Sequence, residues 1–338
     1  AIRELAETGR PRFDIRWLID PDAEFLAAKA AELGVGRTST RMAKALSDPS
    51  VQAISVCAPH AFHRDLALEA IDAGKHVLVE KPIALTVDDA TCMIDAAARK
   101  GVALYVAENL VYSAMSRFLR GALVGPNGVG EIAFATVVNG FRAPDFGYEG
   151  RRAWLTQPSR GGTGTWMLHG VHSMAQLRYV LGEVESVYLR EHKSSAFVRR
   201  DIEGTLVGTL TLDGGVSVTI VQTCEALLPG SFGGYAIHGE RASLRAWKEG
   251  FDITRNGAVP IAFTYGDDEA KVLSGIPDLT AFSEYALEMR AFADAVEGVA
   301  DGPTDGISER RSLAIVQAGY ESAQCGSPVL LKARFKGI

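Results

Sequence analysis

The sequence predicts an α/β domain built on a parallel sheet, followed by an α+β domain with a large, mostly antiparallel, open sheet. In the first third of the chain, short apolar runs alternate with segments of helical periodicity, which is typical of β–α–β units buried on both faces. Farther along, longer apolar runs follow one another through glycine turns such as Asp213-Gly214-Gly215, which favours antiparallel pairing. We therefore divide the chain into domains at 1–113 and 114–338.

The clearest β–α–β unit spans 51–85. An apolar strand ends before Pro59, a helix follows until Gly74, and a second, valine-rich strand runs into Glu80-Lys81-Pro82. Because ligands of parallel sheets bind beyond the carboxyl ends of the strands, Lys81 is delivered to the place where chemistry would occur. The proline that follows favours an extended backbone at this lysine.

An earlier strand is predicted over 13–19, ending at Asp20, and Asp22 is placed to cap the helix that follows over 23–33. An acidic residue at the tip of such a strand accepts hydrogen bonds from the ribose hydroxyls of a dinucleotide. A carboxylate there favours NAD over NADP because it repels the additional phosphate. The alternative is that Asp20 only starts a turn with Pro21.

A glycine-rich turn that holds the pyrophosphate is expected after the first strand of such a domain. The chain opens inside an apparent helix, 1–8, and 34–36 is no substitute because its glycines follow a helix. We therefore expect the first strand and the glycine-rich turn to lie before Ala1.

Composition narrows the class of protein. The 338 residues carry 35 Lys and Arg against 41 Asp and Glu, a net charge of −6, and no basic block, which argues against a nucleic-acid partner. No apolar run is long enough to span a bilayer. Four scattered cysteines without a C-x-x-C pair argue against a disulfide framework and a zinc site, so we expect no metal and a cytoplasmic protein.

The second domain carries much apolar strand for an otherwise charged chain. A sheet with helices on one face leaves its other face available to a second subunit, so we expect a homodimer or homotetramer formed through this sheet. Helices are predicted over 284–298 and 308–325. The segment 267–277 is the best candidate for a mobile loop.

Several motifs resemble the glucose–fructose oxidoreductase / inositol dehydrogenase / MocA (Gfo/Idh/MocA) family, from about Ile15 to about Leu330. The most specific is the run Ala73 to Pro82, AGKHVLVEKP. The others follow in the right order: Val56 to Pro59, His63, Gly161-Gly162, Gly170-Val171-His172 and Leu181-Gly182. The resemblance implies a Rossmann-like first domain and an NAD(P)-dependent dehydrogenase. Such an enzyme interconverts a secondary alcohol and a ketone on a sugar, an inositol or a related cyclic diol.

The resemblance also implies where the cofactor binds, with NAD expected ahead of NADP. The residues concerned lie at strand ends or just beyond them: Asp20, Ala58, Pro59, His63, Glu80, Lys81, Pro82 and Asn109. For His63 a structural role at the start of a helix is the alternative. Asn109 is a candidate for contact with the nicotinamide or the substrate.

For catalysis, the resemblance makes His172 the histidine that accepts the hydroxyl proton, while Lys81 donates a hydrogen bond to the same oxygen. Glycines at 161–164 lead into its helix. The chain departs from the family at Leu168, where an aspartate usually stands one turn before the histidine. His169 is a second candidate, although it points about 100° away around the helix.

Two further departures concern the string Glu108-Asn109-Leu110, where the family often has His-Asn and then an arginine. Side chains flanking the catalytic region are candidates for shaping a substrate pocket: Arg152, Trp154, Arg160 and Trp166. Arg160 could pair with a substrate carboxylate. Each of the four has a purely structural alternative.

Two other functions remain open at the level of sequence. The first is a glycosidase that uses bound NAD for transient oxidation of a sugar. The second is a non-catalytic sensor that binds NAD or a sugar. The absence of the aspartate at Leu168 favours both.

Overall fold

The computed structural model describes residues 1–7, 12–141, 150–160, 164–194, 203–228, 230–255 and 257–338. The predicted glycine entry at 161–163 therefore lies outside the described residues. Among the described helices, none is both long and apolar enough to cross a membrane.

The N-terminal part is built of alternating strands and helices. In chain order these are α1 (Ile2–Glu7), β1 (Leu18–Ile19), α2 (Ala23–Leu33), β2 (Thr38–Ser39), α3 (Ala43–Leu46), β3 (Ala53–Val56), α4 (His63–Asp72), β4 (His76–Glu80), α5 (Val87–Lys100) and β5 (Leu104–Ala107).

The strands of this part pair in parallel, as predicted, with β1 beside β2 and with the order β3-β4-β5. The central strand β4 buries Val77 and Val79 completely because α4 and α5 cover it. The strand predicted over 13–19 is wrong for most of its length, since only Leu18–Ile19 pairs with a neighbour. Asp22 caps α2 through the amides of Glu24 and Phe25.

The C-terminal part contains the longer strands. Its elements are α6 (Ala114–Val124), β6 (Ile132–Gly140), α7 (Val171–Leu181), β7 (Val184–His192), β8 (Thr205–Leu212), β9 (Ser217–Thr223), β10 (Gly234–Gly239), β11 (Ser243–Trp247), β12 (Gly250–Thr254), β13 (Ile261–Thr264), α8 (Asp268–Ser274), α9 (Glu284–Val296), α10 (Gly306–Cys325), β14 (Val329–Leu330) and α11 (Leu331–Arg334).

Within the described residues, the strands of this part form one open sheet of nine, in the order β13-β12-β11-β10-β6-β9-β8-β7-β14. Every neighbouring pair is antiparallel except β6 with β9. The predicted mostly antiparallel sheet is confirmed. The mobile loop predicted over 267–277 is wrong: α8 occupies most of it because Ala270 and Leu273 are buried against the core.

Helices α7 and α10 connect the two parts of the molecule. Helix α10 packs on β7, on α7 and on α5, so it contacts elements from both parts. Helix α7 buries Val171, Met174 and Leu177 in the common core. This packing holds one end of α7 near the parallel strands.

Candidate active site

The carboxyl ends of the parallel strands β3, β4 and β5 meet at one edge of their sheet. Val56 pairs with Val79, and Val79 pairs with Val106, so the residues that follow these three positions emerge side by side. Lys81 follows β4 and Glu108 follows β5. The register therefore brings a cation and a carboxyl group to the same place.

The Lys81 ammonium is anchored to the start of α7. Its Nζ donates a hydrogen bond of 2.7 Å to the main-chain oxygen of Leu168. Leu168 lies in a π-helical turn, Trp166–Gly170, that leads directly into α7. Such wide turns interrupt the regular ladder of the helix and are frequent at functional sites. The contact places the lysine against the segment that carries both candidate histidines.

His172 pairs with Glu108, a side chain that the sequence patterns did not indicate as a candidate for the site. The His172 Nδ1 lies 2.5 Å from the Glu108 Oε1, and the Glu108 side chain has no exposed surface. Burial, with the nearby Lys81 charge, holds the pKa of His172 well below its ordinary value. Burial raises the pKa of Glu108 to about 8, although the Lys81 charge opposes this. The feature of the sequence that could have indicated Glu108 is its position directly after β5.

His169 lies beside His172, with their ring centroids 5.6 Å apart. Its Nδ1 is buried and has no hydrogen-bond partner among the described residues. Burial, together with the neighbouring His172 and Lys81, lowers the pKa of His169 to about 3. The imidazole is therefore neutral at physiological pH.

His63 ties two of the strand ends together. Its Nδ1 lies 2.8 Å from the Pro82 oxygen and its Nε2 lies 2.9 Å from the Ala58 oxygen. Because the side chain is completely buried, it offers no surface to a ligand. The two contacts connect the segments after β3 and β4, where Pro59 also lies.

Asp20 sits at the end of β1 with one carboxylate oxygen bonded to the amide of Asp22 at 2.9 Å. Its other oxygen accepts a 2.6 Å hydrogen bond from Arg151. The Arg151 guanidinium also bonds Asp22 and stacks 3.8 Å from the ring of Phe25. A residue from the C-terminal part thus reaches the position predicted for ribose recognition.

The remaining cofactor candidates are also at the strand ends. Glu80 closes β4 and is partly buried, which raises its pKa. Asn109 begins a short 3₁₀ turn after β5 and is partly exposed.

The four substrate candidates are not alike. The Trp154 ring lies 4.7 Å from the ring of His60, near the end of β3, while Arg152 and Arg160 are exposed. The prediction for Trp166 is wrong. This side chain is completely buried, and its Nε1 donates a 2.8 Å hydrogen bond to the Val316 oxygen in α10, so it is part of the core.

The donor set at this edge fits the dinucleotide that the sequence predicts. Asp20 offers a carboxylate at the end of β1, and Lys81 offers a cation just after the central strand β4. Between Lys81 and α7, the Glu108 Oε2 and the His169 Nδ1 are buried polar atoms without a partner in the described part of the chain. Unpaired buried polar atoms are costly, which is typical of a site completed by a ligand. Among the described residues, no group of three His, Cys, Asp or Glu side chains could hold a metal.

Comparison with known proteins agrees with this geometry. Residues 3–108 match the family model of the Gfo/Idh/MocA oxidoreductases described as an NAD-binding Rossmann fold, and 123–331 match the model of the family's C-terminal alpha/beta domain. The 1,5-anhydro-D-fructose reductase of Ensifer adhaerens is 29% identical, over 91% of this chain and 88% of that protein. The D-xylose 1-dehydrogenase (NADP(+)) 2 of Haloferax volcanii is 27% identical, over 90% of this chain and 88% of that protein.

Among solved structures, the WlbA dehydrogenase of Bordetella pertussis, in complex with NADH and UDP-GlcNAcA, superimposes with a TM-score of 0.81. It is 24% identical, and the match covers 97% of this chain and 93% of that one. At this identity the likeness concerns the fold. The two family models together span nearly the whole chain, and the protein therefore belongs to the Gfo/Idh/MocA family of NAD(P)-dependent oxidoreductases.

Proposed function

We propose that this protein interconverts a secondary alcohol and a ketone on a sugar, an inositol or a related cyclic diol, with NAD as the cofactor used best. The observation that carries the proposal is the convergence of Lys81 and His172 on one site. The lysine is bonded to Leu168, at the entry of the helix that carries His172, and its charge acts on the imidazole. The named relatives are reductases and dehydrogenases, so a glycosidase or a sensor gains no support.

The residues divide the chemistry between them. His172 is neutral, so in the tautomer with its proton on Nδ1 the Nε2 can accept the proton of the substrate hydroxyl. Burial lowers the pKa of Lys81, yet the carboxyls of Glu108 and Glu80 favour its charged form. The ammonium donates a hydrogen bond to the same oxygen and stabilises it as the ketone forms. A bound nicotinamide supplies the acceptor for the hydride that leaves the carbon.

The preference for NAD rests on Asp20. Its carboxylate is held at the end of β1 by Arg151 and by the Asp22 amide, at the position expected for ribose recognition. In this proposal 1–113 bind the cofactor, and Asn109, Arg152, Trp154 and Arg160 contact the substrate or the nicotinamide. Residues 114–338 supply the remaining substrate contacts and the subunit interface.

A second copy of the chain is the proposed partner of the large sheet. Its outer face is uncharged over three central strands, and by register the following side chains share that face: Phe134, Thr136, Val207, Thr209, Thr219 and Val221. Phe134 is 49% exposed and Val207 is 43% exposed. An uncharged sheet face on a chain of net charge −6 suits contact with an identical face.

The experiment is a turnover assay of the full-length protein, following NADH formation by absorbance with a panel of hexoses, inositols and cyclic dihydrodiols. Net NADH formation with at least one of them, and faster with NAD than with NADP, is the expected result. Release of a sugar from a glycoside without net NADH would contradict the proposal. Ligand binding that persists with no turnover on any member of the panel would contradict it as well.

A further inference from the structure

The His172–Glu108 pair joins two distant parts of the chain. Glu108 follows β5, and His172 lies in the first turn of α7, 64 positions later. The carboxyl group has no exposed surface, whereas 11% of the imidazole side chain remains exposed. Because Nδ1 is occupied by the carboxyl group, Nε2 is the nitrogen left to meet a substrate.

We propose that Glu108 is the proton-storing partner of His172, so that a proton arriving at Nε2 displaces the Nδ1 proton onto the Glu108 Oε1. This inference rests on the proposed function and assigns a role to a side chain that the sequence comparison marks only as a departure. Glu108 touches no substrate and acts through the imidazole, which makes it a positioning residue. It also supplies, from a strand end, the carboxyl group that α7 lacks at Leu168.

The atoms balance in a single shift. The substrate O–H bond breaks and an Nε2–H bond forms, while the Nδ1–H bond breaks and an Oε1–H bond forms. The carbon loses its hydride to the cofactor. The pair begins as a carboxylate with a neutral imidazole that carries its proton on Nδ1. It ends as a carboxylic acid with a neutral imidazole that carries its proton on Nε2.

The surroundings favour this neutral product over an imidazolium–carboxylate pair. Separated charges are costly away from water, and burial lowers the pKa of His172 while it raises the pKa of Glu108 to about 8. The groups near the pair are Glu80 at the end of β4, Lys81 just after it, His169 before α7, Glu288 in α9 and Glu309 in α10. A negative charge on Glu108 in turn raises the pKa of the three carboxyl groups among them.

The pair therefore gains or loses one proton as a unit. Whether it holds that proton decides which direction of the reaction it supports. Alcohol oxidation needs the form that has already lost its proton, so its rate should rise as the pH passes about 8. Ketone reduction needs the protonated form and should fall over the same range. Because any general base at this site gives opposite profiles for the two directions, the decisive readout is whether the inflection is lost when Glu108 is replaced.

The test compares the full-length protein with its Glu108→Gln and Glu108→Asp variants. Glutamine cannot take up a proton, so oxidation in this variant would have to form an imidazolium in a buried site. We expect kcat for oxidation to fall by roughly 10²–10⁴-fold with little change in the substrate KM, and the inflection near the wild-type value to disappear. Aspartate should restore part of the rate and a shifted inflection.

The second readout needs no turnover. Nitrogen-15 NMR of the His172 imidazole, without cofactor, should show Nδ1–H at high pH and Nε2–H after Glu108 takes up its proton. Glu108→Gln should abolish the pH-dependent switch of the tautomer, while Glu309→Gln, another buried carboxyl variant, should leave the switch in place. Thermal melting checks that each variant folds.

A tautomer that does not change in the wild type, or an unchanged pH profile in Glu108→Gln, would overturn the proton-storing role. The two proposals can fail separately. If no alcohol is oxidised but the tautomer switches, the proposed function fails and the relay geometry stands. If alcohols are oxidised and the tautomer stays fixed, only the relay fails.

Discussion

The Lys81 Nζ and the Leu168 carbonyl oxygen are 2.7 Å apart although 87 positions separate the two residues. This bond joins the end of β4 to the π-helical turn before α7. It fixes the Lys81 ammonium beside the imidazoles of His169 and His172 without occupying a ring nitrogen of either. The main-chain oxygen of Leu168 thus holds Lys81 at the position where the family usually has an aspartate side chain.

Replacement of Lys81 by methionine should abolish most turnover. Methionine keeps the apolar stem but cannot donate a hydrogen bond, so we expect kcat to fall by roughly 10²–10³-fold. Cofactor binding, measured by calorimetry, should persist. Lys75→Met is the matched control, because Lys75 donates to the Val51 oxygen at the opposite end of β4. It should lower the melting temperature and leave kcat of the folded enzyme intact; equal kcat losses in both variants would contradict a specific role for Lys81.

Replacement of Asp20 by serine should shift cofactor choice. The change removes the carboxylate that lies 2.6 Å from the Arg151 guanidinium, so this cation keeps only Asp22 as a carboxylate partner and can meet an additional phosphate. The ratio of kcat/KM for NADP to that for NAD should rise roughly tenfold, equivalent to about 1.4 kcal/mol. The control is Asp22→Asn, which removes the second carboxylate near Arg151 but still caps α2. An unchanged ratio in the serine variant would exclude Asp20 from cofactor choice.

Stability should decrease as the pH rises from about 7 to about 8. Burial raises the pKa of Glu288 to about 9 and that of Glu309 to about 8, so the folded chain keeps protons that the unfolded chain has lost. Each such proton lowers the free energy of unfolding by about 1.4 kcal/mol per pH unit. Histidines with depressed pKa values affect stability only below this range, because between about pH 7 and 8 they are neutral in both the folded and the unfolded chain.

Denaturant unfolding at both pH values measures this slope, and Glu288→Gln should make it shallower. Glu32→Gln on the surface, where the side chain is 59% exposed, should leave it unchanged. A melting temperature of the wild type that increases over this range would contradict the prediction.

The packing of α10 against Trp166 should tolerate no additional methyl group. A Cβ at position 319 would lie 2.5 Å from the Trp166 Nε1 and 2.8 Å from the Leu189 Cδ1. We expect Gly319→Ala to cost about 1–3 kcal/mol of unfolding free energy, because the buried indole has no room to move. Gly36→Ala should be nearly neutral, since no atom lies within 4 Å of its added Cβ. Equal stabilities of the two variants would contradict the tight packing.

Periodicity and turn residues sufficed for the two kinds of sheet, for the helices with clear caps and for the delivery of Lys81 to a strand end. These features are local: Asp22 caps α2 through its own neighbours, and Gly34 ends it with a φ of 70°. The strands β12 and β13 have no comparable periodicity or turn residues in the sequence. The segment of α8 resembles a loop in the sequence, and only the burial of Leu273 in the folded chain accounts for the helix.

The partners of the site residues depended on the tertiary structure. The sequence offered Trp166 as a candidate for a substrate pocket, because a sequence does not tell which side of a helix meets the core. In the structure its indole bonds the Val316 oxygen. In the sequence, Glu108 was only a departure from the family pattern. Nothing local indicates that β5 ends against α7, where Glu108 meets His172. The sequence by itself determined that Lys81 follows a strand end and that His172 and His169 are candidates for the chemistry. Only the packing of α7 against the parallel strands decided which carboxyl group meets which imidazole, because that contact joins residues far apart in the chain.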